Sequence, residues 1–521
     1  MIGEFMKTFN TEAICIPEYN YMVDLSDRLK KIRCMIEDKK YFVINRGRQY
    51  GKTTMLYMLK QYISNEYDVL SISFESADDL FVERAGFVRG FIRKINKELI
   101  RSNVSENVIK IWNADVQDNL CWEELNDRIS QLCNTMEKPI VLMIDEVDKS
   151  SDNQIFLSFL GLLRDKYIER QKSGESTFDS VILAGVYDIR NLKVKLRPEE
   201  EHKRNSPWNI AAPFDVDMDF SVRDIEGMLN EYQSEHDIQM DLHTVSGEIR
   251  AYTGGYPFLV SLLCRIIDES GADWSREGIS MAVKKILSMK LPLFDSLINN
   301  LMDHSDVAVL VKRILLEGDN VADNPDDPGF DLAKMFGFLK SDNGVLRVSN
   351  RIFETRLYNY FISSSDMQKE EIFRRGSEDR NGYVIGGRLD MDKVVSDFVR
   401  IFNEIYGDRR ESFIEEEGRR YFLLFLKPII NGVGNYYVEA QTRDRTKTDI
   451  IVDYLGIQYV IELKIWHGNE YNARGEKQLV DYLDYYKTEK GWMVSFCFNK
   501  NKVPGIREIS VGGKIIFEGI V

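Results

Sequence analysis

The stretch that most narrows what this chain can be is Arg46-Gly47-Arg48-Gln49-Tyr50-Gly51-Lys52-Thr53-Thr54. It joins an apolar run at 41–45 to the helical pattern MLYMLKQYI. A strand, a glycine-bearing loop and a helix in that order aim backbone amides and a helix N-terminus at one spot, where they stabilise phosphate charge. In such a loop Lys52 reaches the β- and γ-phosphates of a nucleotide, and the Thr53 hydroxyl ligates Mg²⁺. The full pattern has glycine where this chain has Arg46, so the loop entry departs from it while Gly51-Lys52-Thr53-Thr54 is intact. Arg46, Gly47, Arg48, Gln49, Tyr50, Gly51, Lys52, Thr53 and Thr54 are therefore the expected nucleotide-binding residues.

Further apolar runs at 69–74, 140–144 and 181–186 alternate with helical stretches, which predicts a mostly parallel sheet covered by helices on both faces. The run at 140–144 ends in Asp145-Glu146, with Asp148 beyond. A buried parallel strand delivers its terminal acid to a phosphate-bound metal, and the next acid is placed to polarise the attacking water. Asp145 is thus an expected metal and nucleotide residue and Glu146 an expected catalytic one. After the run at 181–186, Asp188, Arg190 and Asn191 are candidates for sensing the γ-phosphate.

At 521 residues the chain is too long for one core, and about three domains are expected. No run approaches the ~18 apolar residues of a membrane-spanning helix, and the N-terminus lacks the basic flank and apolar core of a secretion signal. Six cysteines without a CxxC pair and five histidines without metal-ligand spacing argue against a disulfide framework or a zinc site. They fit a reducing cytoplasm. The net charge of −15 opposes nucleic-acid binding, because affinity for phosphates comes from basic residues. Any such contact must rest on local basic patches.

Periodicity is helical from about 221 to 315, interrupted by Thr253-Gly254-Gly255-Tyr256-Pro257. Residues 306–362 combine helices with a hairpin turning at Asn343-Gly344, a tight-turn pair, and suggest a winged helix. The polar segment 363–387 is the expected linker. Helices at 391–406 and 412–427 come next. Strands are expected at 436–441, 449–454 and 459–463, then a helix at 477–486 and a last strand at 492–498.

Near this end a second chemical site is expected. Asp449 opens one strand, and Glu462 and Lys464 lie two apart on the next, so they project to the same side. Asp449 and Glu462 converging there would offer hard oxygen ligands to Mg²⁺, and Lys464 would orient or deprotonate an attacking water. Glu439 and Glu417 are further candidate acids. Arg419, Arg420, Arg443, Arg445 and Lys447 could supply positive charge for a phosphate backbone.

The loop at 46–54, Asp145-Glu146, the stretches 184–192 and 205–211 and the turn at 253–257 resemble the AAA-like ATPases of bacteria and archaea, near the STAND and archaeal-ATPase branch. The resemblance covers about 8–362 and implies an ATPase core, a helical lid whose Gly-Gly-x-Pro turn approaches the nucleotide, and a winged helix. Asp449, Glu462 and Lys464 resemble the PD-(D/E)xK nuclease signature. Gln478 and Tyr482 look like the Gln-x-x-x-Tyr element of its RecB-like branch, which implies a supporting role at the site. The expected fold is therefore α/β multidomain: a P-loop parallel-sheet core at 8–220, a helical lid at 221–300, a winged-helix-like domain at 301–362, a linker at 363–387 and a restriction-endonuclease-like α/β domain at 388–521. The expected activity is that of an ATP- and Mg²⁺-dependent DNA endonuclease in bacterial defence or DNA processing, with RNA left open as substrate and a homo-oligomer or protein partner possible in principle. The alternative is a signalling NTPase whose C-terminal domain binds without cutting.

Overall fold

A computed structural model of the chain describes residues 6–75, 78–113, 120–147, 154–186, 208–316, 319–378, 380–407, 413, 415–430, 434–438, 450–455, 457–466, 469–486, 488–497 and 503–521. The chain forms two compact units. One comprises Met1–Arg250, Gly255–Trp274 and Lys334–Gly337, and the other Ala251–Gly254, Ser275–Ala333 and Phe338–Val521.

In the first unit the elements run α1 (Ser26–Glu37), β1 (Tyr41–Asn45), α2 (Lys52–Ile63), β2 (Asp68–Ser73), α3 (Arg84–Arg101), α4 (Glu106–Asn113), α5 (Trp122–Thr135), β3 (Ile140–Asp145), α6 (Gln154–Ser173), β4 (Ser180–Gly185) and α7 (Val222–His236). After α8 (Leu242–Thr253) comes α9 (Pro257–Ser270). All strand pairs are parallel, in the order β1-β4-β3-β2. A parallel bridge from Phe42 to Ala212 continues the sheet on the outer side of β1.

The strands are near-continuous apolar runs because both faces are covered. Tyr41, Val43, Leu70, Ile72, Leu142, Ile144, Val181 and Leu183 point into a core shared with α3 to α6. Their alternates, such as Phe42, Ile44, Met143 and Ile182, are also buried, and α2 packs against β2 and β4. With every strand parallel, the C-terminal ends of β1, β2 and β3 open onto one edge, where ligands bind in such sheets. The predicted strands at 69–74, 140–144 and 181–186 match β2 to β4 within a residue at each end.

In the second unit, α10 (Arg276–Ser288), α11 (Pro292–Asp303) and α12 (Ser305–Leu316) are followed by α13 (Pro328–Met335), the hairpin β5 (Leu339–Asp342) and β6 (Val345–Val348), and α14 (Arg351–Ile362). Asn343 and Gly344 take φ of 50° and 78°, the left-handed pair that a two-residue hairpin turn requires. Where the sequence suggested a linker, the chain forms α15 (Ser365–Gln368), α16 (Glu371–Glu378) and the short pair β7 (Val384–Ile385) and β8 (Arg388–Leu389). Helix α16 lies so close to the following domain that a Cβ on Gly376 would stand 2.3 Å from the Phe425 carbonyl.

The remainder is α17 (Met391–Tyr406), α18 (Glu415–Ile430), β9 (Gly434–Val438), β10 (Ile450–Tyr454), β11 (Ile457–Ile465), α19 (Asn469–Tyr485), β12 (Lys490–Phe496), β13 (Gly505–Val511) and β14 (Lys514–Ile520). The sheet order is β13-β14-β12-β11-β10-β9. Strands β9, β10 and β11 form an antiparallel meander, and α19 carries the chain over to β12, parallel to β11. One sheet face packs on α17 through Phe398 and Phe402 against Phe496, and on α18, where a Cβ on Gly418 would stand 2.4 Å from the Phe496 ring. The other packs on α19 through Val460, Leu479, Leu483, Met493 and Ile516.

Two expectations need correction. The strand at 492–498 is not the last, because β13 and β14 follow it around a Gly512-Gly513 turn with positive φ at both residues. The helix expected at 477–486 begins at Asn469; its first turns are polar and carry little apolar periodicity, so the pattern showed only the half that packs.

Candidate functional site

The first site sits at the strand-end edge of the parallel sheet. The loop after β1 turns through left-handed conformations at Gln49 and Gly51, with φ of 55° and 77°, and Gly51 caps α2. That geometry curls the backbone in front of the helix N-terminus. Lys52 is buried and donates to the carbonyls of Arg46 and Gly47, both at 2.9 Å, so its ammonium is held across the loop. Thr53 Oγ1 donates to Asp145 Oδ2 at 2.7 Å. The two residues expected to share a metal are thus side by side although 92 positions apart in sequence. Hard oxygen donors converging at a helix N-terminus fit Mg²⁺. Glu146 follows with φ of 56°, and its amide donates to Asp145 Oδ1 at 2.9 Å. A non-glycine residue in that region is strained and held by its surroundings.

Other loop residues serve the protein itself. Arg46 donates to the carbonyls of Asn45 at 2.9 Å and Val216 at 3.0 Å and lies over the Phe214 ring, so its side chain braces the loop entry rather than facing phosphate. Thr54 accepts from the Cys15 amide at 3.2 Å, which ties the N-terminal segment to α2. Tyr50 donates to Asp219. Burial, then Asp219, push the Tyr50 hydroxyl far above its ordinary range, so it remains a donor.

The sequence reading missed what surrounds this loop. A cavity of about 150 Å³ is lined by Gln49, Tyr50 and Gly51 of the loop and by Met55, Phe220 and Phe258 among others. An apolar pocket beside a phosphate cradle suits a nucleobase. Arg28 holds one wall, donating to the carbonyls of Asp217 and Asp219 and to Asp224 at 2.9 Å. Tyr256, from the expected turn at 253–257, is buried and donates to the Arg48 carbonyl, and its ring meets that of Tyr50 at 4.4 Å. Gly255 permits this. Its φ is 79°, and a Cβ there would stand 2.3 Å from the Phe220 carbonyl. The glycine pair was the available signal; which atom its neighbour touches was not.

The second candidate site lies on β11. Glu462 is fully buried and Lys464 nearly so, and Lys464 Nζ is 2.7 Å from Glu462 Oε1. Helix α19 lies over the lysine: a Cβ on Gly475 would stand 3.3 Å from Lys464 Cγ. Gln478 and Tyr482 are three and seven residues on from Gly475, on the same helical face. The structure thus brings Glu462, Lys464, Gln478 and Tyr482 to one side of the sheet.

Asp449 lies outside the described residues, as do Asp148, Asp188, Arg190, Asn191, Glu439, Arg443, Arg445 and Lys447. Strand β10 starts at Ile450, opposite Ile461. Among the described residues no group of three or more His, Cys, Asp or Glu could hold a metal ion. Arg419 is buried, with its guanidinium 3.5 Å from the Tyr358 hydroxyl. It is a packing residue and not one of the expected phosphate contacts.

A further charged group on the same sheet face was missed entirely. Glu518 on β14 is fully buried, accepts from Ser495 Oγ at 2.6 Å and is paired with Arg507. The acid within the apolar KIIFEGI run marked it, but no strand had been expected there.

Residues 31–359 match the family model of the AAA-like domain, well over half of the chain. The chain belongs to the AAA-like domain family. It is accordingly an ATP-binding protein with a P-loop ATPase-like domain. Among solved structures, a Walker-type ATPase of Pyrococcus abyssi is similar at 14% identity over 67% of this chain and 99% of that one, with a TM-score of 0.48. The ORC2 protein of Aeropyrum pernix in its ADP form is similar at 11% identity over 70% and 100%, TM-score 0.38. The ORC1 protein of the same organism, in complex with DNA, is similar at 12% over 65% and 93%, TM-score 0.29. No protein of curated function matches the chain. Among the described residues of this AAA-like protein, no helix is long and apolar enough to cross a membrane.

Proposed function

We propose that this AAA-like protein is an ATP-regulated, Mg²⁺-dependent endonuclease acting on DNA, with ATP held at the loop 46–54 and cleavage performed on β11. The observation that carries the reading is the Glu462–Lys464 pair, an acid and a lysine buried together among the apolar residues of one strand. Burying such a pair carries a large desolvation penalty, which a site for a cation and a phosphate would account for. Asp449 directly precedes β10 in the sequence.

In the proposed reaction a water attacks phosphorus and the bond to the leaving oxygen breaks. Asp449 and Glu462 would hold Mg²⁺, and the chemistry it would supply there is to polarise the phosphate and lower the pKa of the water. Lys464 orients that water or screens charge on the phosphate, while Gln478 and Tyr482 brace the substrate backbone. At the other site Lys52 neutralises the terminal phosphates, and Glu146 orients the water that hydrolyses ATP. The elements from α10 to α14 form the lid end and a winged-helix-like domain in this reading.

The test is cleavage of plasmid and linear DNA with Mg²⁺, with and without ATP. Wild-type protein cuts, Asp449→Ala and Lys464→Ala do not, and Lys52→Ala loses the ATP dependence. Wild-type protein that cuts nothing at any salt concentration leaves the second reading, a nucleotide switch whose C-terminal domain only binds. The net charge of −15 favours that second reading.

A further inference from the structure

Helix α3 has an unusual charge balance for a chain of net charge −15. It carries Arg84, Arg89, Arg93, Lys94, Lys97 and Arg101 against a single acid, Glu98. Its opposite face, Phe87, Val88, Phe91, Ile92, Ile95 and Leu99, is buried in the core. That fixes the helix rotation and turns the basic side chains outward. Arg89, Arg93, Lys97 and Arg101 recur every fourth residue, so they form one stripe.

Within the stripe the charge left uncompensated is that of Arg93 and Lys97, since Arg101 is bridged to Glu98. Glu98 is buried and already bridged by Lys60 at 2.7 Å and Arg101 at 2.8 Å. Glu83 lies at the helix N-terminus and Glu75 at the edge of the adjoining cleft. Arg84, Arg93 and Lys97 are exposed and form no ion pair among the described residues. The stripe from Arg89 to Arg101 spans about 18 Å at the helical rise. Duplex DNA carries one charge per ~1.7 Å of its axis, about ten over that length.

We propose that the outer face of α3 is a nucleic-acid docking surface that holds the phosphate backbone of a duplex without reading its sequence. The inference rests on the nucleic-acid partner of the proposed function and says where the ATPase unit grips it. The surface adjoins a cleft of about 670 Å³ lined by Lys94, Lys97 and Arg101 at one side and by Thr53 and Asp145 at the other. A backbone lying on the stripe passes the mouth of that cleft, so duplex binding and the ATP site share a wall. Burial, then Lys97, lower the pKa of the Lys94 ammonium, and an anion in the cleft would oppose that shift.

The test is binding of a short fluorescein-labelled DNA duplex to the full chain in EDTA, so that no cutting intervenes, followed by anisotropy across about 50–200 mM salt. In Arg93→Gln with Lys97→Gln, two lost phosphate contacts make the slope of log K against log salt shallower by about 1.8. Lys31→Gln with Lys369→Gln, an equal charge change at exposed positions elsewhere, leaves the slope as in wild type. Three results overturn the proposal: a wild-type slope in the α3 variant, the same loss in the control, or an α3 variant whose self-association changes while its duplex binding does not. In each of these wild-type protein still binds DNA, and the proposed function stands. Wild-type protein that binds no duplex overturns both.

Discussion

The two sheets of this protein place charge in opposite ways. In the four-stranded parallel sheet the strands are largely apolar, and the chemistry sits at the strand ends, where Thr53 and Asp145 meet at 2.7 Å. In the six-stranded mixed sheet the charges are within the strands themselves: Glu462 and Glu518 are fully buried on one face, each paired with a cation. An edge site is assembled by the backbone, since parallel topology alone collects strand ends and helix N-termini. A face site depends on side chains removed from water, where each charge costs several kcal/mol unless it is matched. The first arrangement tolerates sequence change around it; the second ties stability and chemistry to the same atoms.

That contrast can be broken experimentally. The largest effect belongs to Lys52→Ala, which removes the cation held over the loop. ATP hydrolysis should fall at least ~10²-fold in a steady-state assay, with urea unfolding of the C-terminal sheet unmoved. Next, Lys464→Ala removes the ion partner of a carboxylate with no exposure. Urea unfolding should show a loss of about 3–5 kcal/mol. Glu462→Leu with Lys464→Met should recover most of that loss while restoring no cleavage. A loss within the ~0.5 kcal/mol of an ordinary surface change would show that the pair is not held as the contrast requires.

Smaller again is Gly255→Ala, where a φ of 79° and the Phe220 carbonyl at 2.3 Å oppose a side chain. A cost of about 1–3 kcal/mol should appear in thermal melting, together with weaker binding of a fluorescent ATP analogue, because Tyr256 would no longer seat on the Arg48 carbonyl. The smallest effect is that of Lys284→Ala. Lys284 pairs with Asp453 on β10 and lies over Tyr437, with side chains 21% and 17% exposed for the ion pair. Its loss should cost about 1 kcal/mol or less in unfolding of the second unit. A larger value would mean that α10 stiffens the sheet near Glu462 and Lys464.

How much was legible beforehand differs between the same two regions. The loop at 46–54 and Asp145-Glu146 were readable because their signal is local: a short motif, and an apolar strand ending in acids. Arg46 and Thr54 fell within the motif, yet their side chains serve Val216 and Cys15, which no motif encodes. Asp219, the atom that Tyr256 touches and the apolar pocket beside the loop were not readable, since each depends on a partner far along the chain. Glu462 and Lys464 were found through alternation on one strand. Glu518 escaped because β13 and β14 carry weak patterns, half-exposed in β13, and strand pairing rather than composition makes them part of the sheet.

The sequence by itself determined the alternation of apolar strands and helices that makes a parallel sheet, the phosphate loop, and the parity that sets Glu462 and Lys464 on one face, because each follows from backbone geometry over a few residues. Only the tertiary structure decided that Thr53 touches Asp145 and that Tyr256 grips the loop. Those outcomes depend on which distant surfaces exclude water together, and no local pattern carries that information.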